Sequence, residues 1–165
     1  ITALHADFLD FQEYNNQKFS VLIGNPPYIK KSLLTKQQVN KCQEIHKKSN
    51  LSDKKINNIW TAFFIRSISF TSADGILSLV LPAEFLQVNY SEELRQLVQR
   101  EFERIEIFTF NEILFKDVKA KGQDTLLLVA ERKSDNKGVF YCNIDKISDL
   151  ETRNFKLAQN LKIKE

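Results

Sequence analysis

Two short runs of apolar residues constrain the fold more than any other feature of the sequence. One occupies Phe19–Gly24 and the other residues 75–82. Because nearly every side chain in these runs is apolar, both are typical of strands that are covered on both faces, as in a parallel sheet. Prolines follow or close each run, so the chain must leave the sheet there. Ligands of such sheets collect at the carboxyl ends of the strands, where both runs end.

Segments with apolar residues at helical spacing alternate with the apolar runs. After the first strand, the pattern predicts a helix, a strand, a second helix and three further strands, over residues 57–71, 75–82, 90–102, 104–110, 125–130 and 139–144. This alternation indicates an α/β fold with a mostly parallel sheet. Because no helix is predicted between the last two strands, we expect one of them to run antiparallel at the edge of the sheet.

The composition is that of one globular domain. The 165 residues are 42% apolar and 27% charged, which excludes a disordered chain. The longest apolar stretch is too short to span a bilayer and no signal peptide is visible, so we expect a cytoplasmic protein. The cysteines and histidines form no ligand pattern, so we expect no metal site. The chain begins at Ile1 and contains no Met, from which we expect a piece of a longer protein.

Positive charge is concentrated in residues 29–55. This segment carries eight lysines against Glu44 and Asp53. A solvated surface segment and a phosphate-facing loop both fit such a charge run. Its many Ser, Asn and Gln residues indicate a loop with some helix.

The segment that follows the first strand carries the chemistry. Pro26 and Pro27 fix two consecutive φ angles and keep the residue before each of them extended, so Asn25 is presented rigidly at the tip of a strand. The amide oxygen of Asn25 and the carbonyl of Pro26 are acceptors, and Tyr28 adds an aromatic face. Two acceptors beside a flat platform suit a planar ligand with an exocyclic NH₂ group. Alone, however, an Asn-Pro-Pro sequence is often only a turn.

These residues resemble the N/D-P-P-Y/F motif of the amino-methyltransferases, and most of all that of the adenine-specific DNA N6-methyltransferases of restriction-modification systems. The resemblance covers roughly residues 3–133. It rests on the acidic segment at residues 5–9, the motif at residues 25–28, the strand and Leu-Arg helix at residues 75–95, and the loop and strand at residues 115–132. It implies a partial Rossmann-like methyltransferase sheet, with residues 134–165 as a C-terminal extension that begins a following region.

The resemblance also implies a substrate and the residues that hold it. The substrate is double-stranded DNA with a flipped adenine, in a bacterial or archaeal cytoplasm. Asn25, Pro26, Pro27 and Tyr28 form the catalytic motif, in which Asn25 and the Pro26 carbonyl bind the N6 amine while Tyr28 stacks on the base. Phe115 flanks the other side of the base. Lys30 and Lys31 are candidate phosphate contacts.

The cofactor implied by the resemblance is S-adenosylmethionine. Asp7 would accept a hydrogen bond from the amine of its adenine, with Phe8 beside it. The family also needs a glycine-rich loop, but none of the four glycines here lies in a G-x-G pattern. We therefore expect an incomplete cofactor site, a missing N-terminal part of the same polypeptide as partner, and an isolated fragment that is inactive.

Two other functions remain open at this point. The same motif occurs in methyltransferases that act on protein glutamine side chains or on structured RNA. The absence of the glycine-rich loop is also compatible with a DNA-binding remnant that has no activity.

Overall fold

A computed structural model describes residues 5–10, 18–54, 56–111 and 124–159. Within these ranges the chain forms one six-stranded sheet in the order β1-β2-β4-β3-β5-β6. The strands are β1 (Phe19–Gly24), β2 (Thr71–Pro82), β3 (Arg104–Phe110), β4 (Thr125–Glu131), β5 (Gly138–Ile144) and β6 (Ala158–Gln159). The sequence-based prediction of five strands is therefore confirmed, and β6 adds to them.

The strand directions make this a mixed sheet. β1 pairs with β2 in parallel and β3 pairs with β5 in parallel, whereas β4 runs antiparallel to both β2 and β3. β6 runs antiparallel to β5 at the edge. The α/β class and the Rossmann-like sheet are confirmed. Of the last two predicted strands, β4 is the reversed one, but it lies inside the sheet. The physical reason is that β4 is apolar on both faces: Leu126 and Leu128 are fully buried on one face, and Leu127 and Val129 pack on the other.

Five α-helices lie among the described residues. They are α1 (Lys36–Lys48), α2 (Trp60–Phe70), α3 (Glu84–Gln87), α4 (Glu92–Glu101) and α5 (Ile147–Glu151). Short 3-10 turns occupy Lys31–Leu33 and Asn89–Ser91. The helices predicted over residues 57–71 and 90–102 correspond to α2 and α4. None of the helices in the described ranges is long and apolar enough to cross a membrane.

The lysine-rich segment contains more helix than its composition indicates. We expected mainly loop, but α1 spans 13 residues. Thr35 and Gln38 form a capping box at its start, in which each side chain accepts a hydrogen bond from the other residue's backbone N–H. The spacing of a Thr followed three residues later by a Gln was the signal in the sequence. The buried face is short and consists of Cys42, Ile45 and His46, so helical periodicity alone did not reveal it.

The main core lies between the sheet and the helices α2 and α4. Leu77, Leu79 and Leu81 of β2 are at most 1% exposed there. Phe64 of α2 contacts the rings of Trp60 and Phe85 at centroid distances of 6.3 and 5.5 Å. A smaller apolar cluster around Phe108, Cys142 and Ile144 covers part of the other face. The core therefore holds β2 and its neighbours rigidly, with α2 and α4 stacked on one side of the sheet.

Strand β1 is more exposed than the sequence predicts. Its apolar run indicates a strand that is covered on both faces, but Val21 is 58% exposed and Ile23 is 78% exposed. The reason is its position: β1 is the outer strand of the sheet formed by the described residues, and it pairs with β2 on one side.

His46 should make the stability of the fold sensitive to mild acid. Burial lowers the pKa of His46 from its usual 6.5, more than Glu93 and Asp53 raise it, so the folded state prefers the neutral ring. Its Nδ1 lies 3.1 Å from the Ser52 carbonyl and its Nε2 lies 3.0 Å from Oγ1 of Thr61. The contribution to stability is present above pH 6.5 and is lost as the pH falls toward the lower, folded-state pKa.

We expect the free energy of unfolding to fall by up to about 1.4 kcal/mol per pH unit in this window. Urea unfolding between pH 7.5 and pH 5.5 measures it. The variant His46→Gln should show a flatter pH dependence, whatever its absolute stability. Equal slopes in both proteins would contradict the role given to His46.

Candidate active site at the end of β1

The parallel register between β1 and β2 sets the position of the predicted motif. Gly24, the last residue of β1, lies opposite Leu79 of β2. A Cβ atom at Gly24 would stand 3.1 Å from Cδ2 of Leu79, which is tighter than ordinary contact, so the missing side chain lets the two strands approach closely. Asn25 therefore follows directly at the carboxyl end of a strand that is fixed against the core.

The motif residues form a compact group beyond that point. Asn25 is exposed, Pro26 is buried and Tyr28 is half-buried. The Tyr28 hydroxyl donates to the carbonyl oxygen of Val80 in β2 at 2.9 Å and lies 3.2 Å from Oδ1 of Asn25. The Tyr28 side chain thus spans from the loop to β2, and its hydroxyl lies beside the Asn25 amide oxygen at the rim of the sheet.

Burial raises the pKa of the Tyr28 phenol well above its usual value. The hydroxyl therefore stays protonated at neutral pH and remains a hydrogen-bond donor. The hydroxyl has one proton, which it donates to the Val80 carbonyl, because this oxygen is nearer than Oδ1 of Asn25. A carbonyl oxygen has two lone pairs, so Oδ1 of Asn25 keeps capacity to accept from a ligand at the exposed side.

The Tyr28→Phe substitution should weaken the fold slightly and leave its aromatic face in place. We expect the free energy of unfolding to fall by about 0.5–1.5 kcal/mol, because the hydrogen bond to Val80 is lost. The matched control is Tyr141→Phe, since the Tyr141 hydroxyl has no hydrogen-bond partner among the described residues. Urea unfolding of both variants tests this. A loss of the same size in Tyr141→Phe would show that the hydrogen bond is not the cause.

The predicted cofactor-binding residues lie in a tight turn beside β1. Oδ1 of Asp7 accepts from the backbone N–H of Leu9 at 2.9 Å, and the ring of Phe8 stacks on Phe63 of α2 with 5.3 Å between centroids. Phe8 and Ile23 line the same apolar groove of about 360 Å³. The structure therefore brings the Asp7–Phe8 turn next to the strand whose end carries Asn25.

The lysines of the basic segment have different environments. Lys30 is exposed and Lys31 is half-buried, on a turn that is fixed by the hydrogen bond from the Lys31 backbone N–H to the Asn57 carbonyl at 2.8 Å. In contrast, Lys41 forms an ion pair with Asp10. Lys47 similarly pairs with Asp53.

Two further residues concern the site: Phe115, which the sequence predicts, and Val80, which it does not. Phe115, predicted to flank the substrate, lies outside the described residues. Val80 was not predicted, although its carbonyl holds Tyr28. No signal in the sequence could have identified Val80, because a backbone acceptor becomes a partner only through the register between two strands.

The α/β sheet, with the Asn-Pro-Pro-Tyr segment at the carboxyl end of β1, is consistent with part of a Rossmann-like methyltransferase fold. The chain belongs to the Eco57I restriction-modification methylase family, whose model matches residues 2–115. The resemblance inferred from the sequence is therefore confirmed.

Individual relatives agree with this assignment. The Type II methyltransferase M.AccI of Acinetobacter calcoaceticus is 26% identical over 152 residues, which are 91% of this chain and 27% of M.AccI. RM.Eco57I of Escherichia coli, a Type II restriction enzyme and methyltransferase, is 26% identical over 129 residues, 78% of this chain and 13% of that protein. The chain thus spans less than a third of the length of either relative.

Solved structures show the same fold. The Type IIL restriction-modification enzyme MmeI in complex with DNA superposes with a TM-score of 0.66 at 16% identity, covering 97% of this chain and 21% of MmeI. A putative class I S-adenosylmethionine-dependent methyltransferase from Listeria monocytogenes gives a TM-score of 0.63 at 14% identity, covering 88% of this chain and 42% of that one.

Proposed function

We propose that this chain is the later part of the catalytic domain of a site-specific DNA adenine N6-methyltransferase of a restriction-modification system. The observation that carries the proposal is the exposed Oδ1 of Asn25, held beside the Tyr28 side chain at the end of β1. An adenine removed from the helix could stack on Tyr28 and place its amine at that oxygen. The intact protein, meaning the longer protein of which this chain is a part, would act in a bacterial or archaeal cytoplasm.

The residues of the site must activate the adenine N6 amine, which is a poor nucleophile. The lone pair of the adenine N6 is delocalised into the ring. Acceptors at Oδ1 of Asn25 and at the Pro26 carbonyl bind the two N–H groups and favour a pyramidal nitrogen. The pyramidal geometry frees the lone pair for attack. The activation comes from preorganised dipoles and not from a strong base. Pro26 and Pro27 keep both acceptors in place because they restrict the backbone.

S-adenosylmethionine supplies the methyl group, whose carbon is bound to a positively charged sulfur. The described residues fit the adenine half of this molecule. The exposed Asp7 carboxylate can accept from the adenine amine, and Phe8 lines the apolar groove beside β1. No G-x-G pattern is present to hold the amino-acid half. We infer that residues in the N-terminal part of the intact protein supply it, so the isolated 165-residue chain should not transfer methyl groups.

Binding of DNA would involve residues that follow the motif in the chain. Lys30 and Lys31 follow Tyr28 on a backbone that is fixed to Asn57, so their ammonium groups could contact phosphates next to the flipped base. Phe115 would cover the other face of the base. Residues 1–133 would form the methyltransferase part and residues 134–165 an extension, of which β5 and β6 lie in the same sheet.

The experiment incubates the intact protein with unmethylated DNA and S-adenosylmethionine, and digests the DNA to nucleosides for mass analysis. We expect N6-methyladenine, and none from the isolated chain under the same conditions. Methylation of protein or RNA without DNA methylation would show that the motif is catalytic but that the substrate is different. DNA binding without any methyl transfer would favour an inactive remnant.

A further inference from the structure

The turn that carries Asp7 is anchored at several points. Leu9 is 6% exposed in the main core, and Phe8 packs against Phe63 and, edge to face, against Phe70 at 5.7 Å. The backbone N–H of Asp10 donates to the Asp7 carbonyl at 3.0 Å. The apolar side chains fix the position of the turn. The Asp7 carboxylate is held within the turn itself, where its Oδ1 accepts from the backbone N–H of Leu9 at 2.9 Å.

Helix α1 contacts the turn through one polar residue, Asp10. Lys41 reaches across to form an ion pair with Asp10, and its side chain is 20% exposed. The next residue, Cys42, is fully buried. With its neighbour Cys42 buried in the main core, Lys41 has a fixed place on α1 and links the helix to the Asp7 turn through Asp10.

A second lysine of α1, Lys47, has a different kind of partner from that of Lys41. Lys47 also makes an ion pair, but its side chain is 66% exposed and its partner Asp53 lies in the loop that follows the helix. Lys47 therefore stabilises the end of α1, whereas Lys41 connects α1 to the turn. The positive charges of the basic segment thus have at least two tasks besides any contact with phosphate.

We propose that Lys41 is a positioning residue for the cofactor, which holds the Asp7 turn through Asp10 so that Asp7 faces the adenine amine. This inference rests on the proposed function, because Asp7 has an adenine to face only if the intact protein binds S-adenosylmethionine. Lys41 would act through Asp10 and Asp7 and would not touch the substrate or the cofactor itself.

The test measures binding of two nucleosides to the intact protein by titration calorimetry. One is S-adenosylhomocysteine, and the other is S-inosylhomocysteine, in which a carbonyl oxygen replaces the amine that Asp7 would bind. The variant Lys41→Met removes the ion pair, Lys41→Arg keeps it, and Lys47→Met removes the other ion pair of the same helix. Comparing the nucleosides separates orientation of Asp7 from general loosening of the fold.

We expect Lys41→Met to weaken the binding of S-adenosylhomocysteine by about three- to fivefold, which is the effect of losing a partly exposed ion pair. Affinity for S-inosylhomocysteine should stay within about twofold, and Lys41→Arg and Lys47→Met should resemble the wild type with both nucleosides. The KM for S-adenosylmethionine should rise in Lys41→Met while the KM for DNA stays unchanged.

Four results would overturn the inference. Equal weakening of both nucleosides in Lys41→Met would assign Lys41 a purely structural role. A loss of DNA affinity with unchanged nucleoside binding would make Lys41 a phosphate contact. If the wild-type protein binds neither nucleoside, the proposed cofactor site is wrong and this inference is wrong with it. If the wild type and Lys41→Met bind both nucleosides equally well, only the inference is wrong.

Discussion

Replacing Asn25 by Ala should lower the kcat of methyl transfer by about 10²–10³-fold in the intact protein. The substitution removes Oδ1, one of the two acceptors that would hold the adenine amine, and losing one preorganised polar group of this kind typically has that effect. DNA affinity should change little, because phosphate contacts supply most of it. The fold should also be unaffected, since Asn25 is exposed and unfolding should change by no more than about 0.5 kcal/mol.

The control for this experiment is Asn25→Asp, which keeps an acceptor oxygen at the same place and occurs as an alternative in the N/D-P-P-Y/F motif. Its kcat should fall less than that of Asn25→Ala. Single-turnover measurements at saturating DNA and cofactor separate the chemical step from binding. A kcat for Asn25→Ala close to that of the wild type would remove Asn25 from the catalytic site.

Replacing Phe64 by Ala should destabilise the fold by about 3–5 kcal/mol. Phe64 is fully buried, and its ring contacts the rings of Trp60 and Phe85 on the helical side of the sheet. The loss combines the transfer of an aromatic side chain with the cavity left among neighbours that cannot collapse. Because single domains are stable by about 5–15 kcal/mol, this is a large fraction of the total.

The matched control is Leu33→Ala, which also removes a large apolar side chain but one that is 75% exposed. It should change the free energy of unfolding by no more than about 0.5 kcal/mol. Urea unfolding of both variants, with the slope of each transition compared, tests the prediction. A small effect in Phe64→Ala would mean that Phe64 does not belong to a close-packed core.

Local patterns in the sequence predicted most of the secondary structure. The bounds of β1 and β3 agree residue for residue with the predicted strands, and α2 lies inside the predicted helix. The prediction of mainly loop over the lysine-rich segment was wrong, because α1 is stabilised by its capping box and by three buried side chains. The predicted covering of β1 was also wrong within the described residues, since Ile23 is 78% exposed.

Some features of the candidate site also follow from the sequence, whereas others depend on the tertiary structure. That Asn25 is presented at the end of a strand follows from the apolar run and from the two prolines, which act on neighbouring backbone angles. That Tyr28 is held by the Val80 carbonyl follows from the pairing of β1 with β2, whose residues are about fifty positions apart in the chain. The functional roles of residues 25–28, of Lys30 and Lys31, and of Asp7, Phe8 and Phe115 stay predictions.

The sequence by itself determined the family through the resemblance of its motifs, the α/β class through residue periodicity, and the rigid Asn-Pro-Pro-Tyr segment through the covalent restriction of proline. The tertiary structure alone decided that β4 lies between β2 and β3, and that Lys41 and Lys47 have different partners. It also decided how the Asp7 turn is anchored. These features depend on which distant segments meet, and that is set by the packing of the core and by the registers between strands.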